Sequence, residues 1–133
     1  MLHMTRLTMV YFLVPILLLM CMPLPGSSRD AKGNYVALGF GLESCQTFLE
    51  ARSHRLDLPY RDWLTGYLTA VNTLTKATVD MRGTTDIAGM LGFLDQYCIT
   101  YRQHSFSRAV DALVKELYPK RMTHMPQKQE RLP

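Results

Sequence analysis

Four stretches of the chain repeat apolar residues at intervals of three and four. Leu42, Cys45, Phe48 and Leu49 begin the series, and their spacing predicts a helix from Leu42 that ends near Arg52–His54. Pro59 suits a first helical turn and opens a stronger stripe of Tyr60, Trp63, Leu64, Tyr67, Leu68, Val71 and Leu74. Its end is expected at Arg82-Gly83, where a basic last turn meets a glycine able to take the left-handed cap. Thr85 or Asp86 can cap a third helix, in which Ile87, Met90, Leu91, Leu94, Cys98 and Tyr101 share a face. Ser105 can cap a fourth, with Phe106, Ala109, Val110, Leu113 and Leu117 inward and Pro119 as its stop. No segment alternates with period two for long enough to demand a sheet, and there is no internal repeat. The expectation is an all-α fold, a small four-helix bundle-like domain over 42–119. Residues 29–41, punctuated by glycine, read as an extended N-terminal arm, and 120–133 as a basic flexible tail.

Ahead of these helices, Val10–Met22 (VYFLVPILLLMCM) is an almost unbroken apolar run. It falls well short of the roughly 20 residues of a membrane span. His3 and Arg6 precede it, and Pro23, Pro25, Gly26, Ser27 and Ser28 follow. That order matches a secretory signal peptide, residues 1–28, with cleavage expected after Ser28; an uncleaved anchor is the alternative. Cys21 follows Met20, where a lipobox wants a small residue. The expected destination is the periplasm, if the source is Gram-negative. Cleavage would leave two cysteines, Cys45 and Cys98, each on the apolar face of its helix. An even pair in an exported domain predicts a disulfide. Closing a loop of roughly 54 residues is worth about 4 kcal/mol in the chain-entropy picture. The competing reading, a cysteine nucleophile with a histidine, finds no local motif around His54, His104 or His124.

The formal net charge of +4 comes from the two ends. Between Arg29 and Leu117 basic and acidic residues balance, so no nucleic-acid footprint is expected. An apolar fraction of 47% excludes a disordered polymer, and the length leaves no room for a two-domain cofactor enzyme. HExxH, GxSxG, CxxC and Gly-rich phosphate loops are absent from the sequence. Asp57 with Asp62, and Asp80 with Asp86, are carboxylate pairs that helix starts attract for dipole reasons alone. Thr73 and Lys76 are ordinary helix neighbours. Gly66 and Ala70 make a small-residue face suited to close helix packing. No catalytic residue, cofactor or metal ligand is expected.

The strings Trp63-Leu-Thr-Gly-Tyr-Leu-Thr-Ala-Val-Asn72, Thr84-Thr-Asp-Ile-Ala-Gly89, Phe93-Leu-Asp-Gln-Tyr-Cys98 and Ala109…Leu113…Leu117-Tyr-Pro119 occur in this order. Together with Cys45 they resemble the Rap/Tai family of small periplasmic immunity proteins, which neutralise peptidoglycan amidases delivered by type VI secretion. The resemblance implies a helical protein, often a homodimer, that occludes the amidase active site and catalyses nothing itself. It gives Trp63, Gly66, Tyr67, Asn72, Leu94 and Tyr97 as structural core positions. A cleft inhibitor needs a polar protruding loop on a rigid scaffold. The candidates are Arg82, Thr84 and Asp86 in one inter-helix loop, and Arg102, Gln103 and His104 in another. The alternative is a periplasmic stress protein or acid-activated chaperone of the HdeA type, also small, helical and disulfide-closed.

Overall fold

Serine and aspartate side chains start three of the four helices found among the described residues. In the computed structural model, residues 30 and 32–125 are described; the expected signal peptide, Cys21 and the end of the expected tail lie outside them. Helix α1 is Cys45–Ser53, and Ser44 Oγ accepts from the Thr47 amide. Helix α2 is Leu58–Leu74 with Pro59 in its first turn. Helix α3 is Ile87–Thr100, capped by Asp86 accepting from the Gly89 amide at 2.8 Å. Helix α4 is Phe106–Leu117, capped by Ser105. No helix of the described residues is long and apolar enough to cross a membrane.

The chain divides into two units, Met1–Val36 and Ala37–Pro133. In the first, Asp30 closes a turn: its carboxylate accepts from the Lys32 and Asn34 amides and from Asn34 Nδ2. These bonds hold its carboxyl below the ordinary range, the Asn34 side chain contributing most.

The second unit holds all four helices. The backbone of α3 lies against α1 and α4, while a 3-10 turn at Gly39–Leu42 lies against both α2 and α4. Phe48, Tyr60, Leu64, Leu68, Met90, Leu94, Phe106, Val110 and Leu113 are buried at the centre. Phe106 is the hub of an aromatic cluster, with ring centroids 4.8 Å from Phe48, 5.0 Å from Tyr60 and 5.7 Å from Trp63. Burial pushes the Tyr60 phenol above its ordinary pKa. The Cys45–Cys98 disulfide joins α1 to α3 inside this core.

The expected extended arm is corrected at its end. The 3-10 turn seats buried Gly41 under the Trp63 indole, whose Nε1 donates to the Leu38 carbonyl at 2.7 Å. Trp63 itself is half-buried, with one face covered by this turn. Helix α2 ends at Leu74 and does not run on to Arg82. Leu74, expected inward, is 80% exposed. Beyond it Ala77 turns left-handed, and Asn72 Oδ1 captures the Met81 amide at 2.7 Å, folding the chain back on the helix. Gly83 does take a positive φ, but in the turn before α3 and not as a helix cap. The start of the expected flexible tail is pinned: Asp80 and Met122 exchange backbone hydrogen bonds in an isolated antiparallel bridge.

Candidate functional site

The two loops singled out by sequence sit at opposite ends of α3. That helix has 14 residues, a span of about 21 Å at the helical rise. Arg82, Thr84 and Asp86 precede it, and Arg102, Gln103 and His104 follow it, so the six cannot form one contact point.

At the first end the charged groups are already engaged. Arg82 grips Asp80 through Nε and Nη2, the latter at 2.7 Å. These hydrogen bonds hold the Asp80 carboxyl below the usual carboxylate range and raise the Arg82 guanidinium further. The Asp86 carboxylate caps α3, and Thr84 is exposed. A Cβ placed on Gly83 would overlap the Lys120 carbonyl, which makes this loop a seat for the segment after α4.

The second end is rigid and outward-facing. The His104 carbonyl accepts from the Cys45 amide at 2.8 Å, and the Arg102 carbonyl from the Gln46 amide at 3.0 Å. The loop backbone therefore satisfies two of the orphan donors that begin α1. Phe106 N donates to the Glu43 carbonyl at 2.7 Å, and the disulfide anchors the last turn of α3 to the same helix start. Tyr101 and His104 stack with rings 4.9 Å apart and 4° from parallel, and His104 Nδ1 meets the Tyr97 hydroxyl at 2.9 Å. Burial raises the Tyr97 phenol pKa. Around this stack Arg102 and Gln103 are exposed, as are Ile99 and Tyr101.

Tyr101 was expected inward because it continues the α3 stripe. It leaves the stripe at the helix end, where its backbone departs from helical geometry. Exposed Tyr101 and Arg102 on a fixed backbone are residue types that protein-binding hot spots favour; the sequence placed Tyr101 on the buried face and singled out Ile99 for nothing.

The structural positions divide. Leu94 is fully buried, and Tyr67 is half-buried with its hydroxyl donating to Asp111 Oδ1 at 2.6 Å. Gly66 is a correction. It is exposed, and a Cβ there would meet nothing within 4 Å, so it is no packing position. Of the carboxylate pairs, Asp57 and Asp80 are each engaged by an arginine and Asp86 by the start of α3. Asp57 accepts from Arg52 Nη1 at 3.1 Å, and Asp95 takes Arg52 Nε and Nη2 at 3.0 and 2.8 Å. These two carboxylates, Asp95 foremost, raise the Arg52 pKa. Thr73 donates to the Ala70 carbonyl, and Lys76 is exposed. Among the described residues no three His, Cys, Asp or Glu side chains gather as a metal site. The Arg52 clamp has no local signature, since Asp95 lies 43 residues from its partner.

Comparison with family models, with curated proteins and with solved structures gives no match to this chain.

Proposed function

We propose that the protein is an exported, non-catalytic binding protein that inhibits a peptidoglycan amidase by occluding its active site with the loop after α3. The observation that carries this reading is the fixed backbone of Arg102 and His104, bonded to the start of α1 beside the disulfide. A loop held in its bound shape before contact loses little freedom on binding, and this raises affinity without added area. The resemblance of the four sequence strings to the Rap/Tai family points to the target class, and the signal-like N-terminus supports a periplasmic location.

The test is a titration of peptidoglycan hydrolysis by amidases encoded beside this gene. Hydrolysis is expected to end near one equivalent of the purified protein. Tyr101→Ala and Arg102→Ala should each weaken inhibition by about tenfold or more, with the melting temperature retained. Changes at Arg82, at the far end of α3, should leave inhibition intact. If no amidase responds and the protein instead suppresses client aggregation at low pH, the chaperone reading replaces this one.

A further inference from the structure

A cleft of about 380 Å³ opens between α2 and the start of α3, within the size range of small-ligand sites, about 300–1,000 Å³. Its base is apolar, formed by buried Leu68 and Met90 with half-buried Ile87. One wall is a polar stripe of α2, Arg61, Thr65, Thr69 and Asn72, spaced so that all four share a helix face. Arg82 lines the cleft from the connection ahead of α3.

The hydrogen-bonding state of these groups defines what the cleft can accept. Thr65 Oγ1 donates to the Asp62 carbonyl at 3.0 Å, and Thr69 Oγ1 to the Thr65 carbonyl at 2.8 Å. Both hydroxyl hydrogens are engaged, so each oxygen is left as an acceptor. Arg82 is paired with Asp80. Arg61 is half-buried, and none of the side-chain hydrogen bonds or ion pairs among the described residues involves it. No carboxylate lines the cleft. A planar guanidinium with open donors matches a carboxylate through two parallel bonds. The complementary ligand therefore carries an anionic carboxylate, N–H donors and an apolar group.

We propose that this cleft binds a short peptide by its free C-terminal carboxylate. The carboxylate sits on Arg61, the peptide N–H groups meet the Thr65 and Thr69 oxygens, and the last side chain rests on the Leu68–Met90 base. The site lies at the other end of α3 from the occluding loop and does not depend on the inhibitor reading.

The probe is N-acetyl-alanyl-leucine, titrated calorimetrically into the purified protein at low ionic strength. One saturable site is expected. Affinity should fall about tenfold or more when the probe's carboxylate is replaced by an amide, and by a similar factor in Arg61→Gln. Thr69→Val should weaken binding severalfold, and both variants should keep the parent melting temperature. Absence of binding, equal affinity for acid and amide, or an unaffected Arg61→Gln protein would each overturn the proposal. So would octanoate, which has no N–H donor, binding as tightly as the dipeptide.

Discussion

Gly41 and Gly66 have opposite surroundings, and the difference shows in what an added methyl would do. Gly41 is buried where a Cβ would overlap the Trp63 ring. Gly41→Ala is expected to cost about 1–3 kcal/mol, because the indole can retreat only by giving up its bond to Leu38. Gly66 stands on the exposed face of α2 with open space around it. Gly66→Ala should therefore stabilise the protein by about 0.5–1 kcal/mol through helix propensity alone. Urea unfolding of the two variants checks both signs at once. A destabilised Gly66→Ala would restore Gly66 as a packing position.

At the scale of elements, α1 needs outside support. It has nine residues, below the roughly 12–15 at which an isolated helix becomes even marginal. Its start is held by the Cys45–Cys98 bond and by two carbonyls of the loop after α3. Its last turn is held by Arg52, clamped between Asp57 and Asp95. The disulfide spans a sequence separation of 53, for which loop-closure entropy gives about 4 kcal/mol. Replacing both cysteines by alanine should remove about that much, a large share of the roughly 5–15 kcal/mol of a typical domain. Denaturant melts of the double variant measure it. A loss below about 1 kcal/mol would show that the backbone bonds and the Arg52 clamp suffice to hold α1.

At the scale of the whole second unit, the segment after α4 closes the fold. Val79 and Asp80 donate to the Met122 carbonyl, and Met122 donates back to Asp80. Arg121 stacks on Tyr118 at 3.9 Å and donates to Thr78 Oγ1 at 3.2 Å. A chain ending at Pro119 should be less stable by about 4 kcal/mol than one ending at Met125, from these four hydrogen bonds at about 1 kcal/mol net each. Equal stability of the two truncations would show the bridge to be energetically idle.

The division between what was legible and what was not follows the range of the interactions involved. Apolar spacing placed all four helices, and the caps at Asp86 and Ser105 were readable because each bond spans three residues. The pairing of Cys45 with Cys98 followed from two apolar faces and from setting aside Cys21 with the expected signal peptide, which leaves a pair among the three cysteines. The end of α2 was not readable, because what stops it is Asn72 reaching Met81 and a bridge from Met122, contacts made only after the chain has folded back. The polar stripe Arg61, Thr65, Thr69 and Asn72 was present in the sequence at helical spacing. Only the neighbouring start of α3 makes it the wall of a cleft. The loop residues Arg102 and His104 were legible as polar and exposed or half-exposed positions. That their carbonyls begin α1, and so fix the loop, was decided by tertiary structure, since a helix's first amides donate to any correctly placed oxygen whatever its distance along the chain.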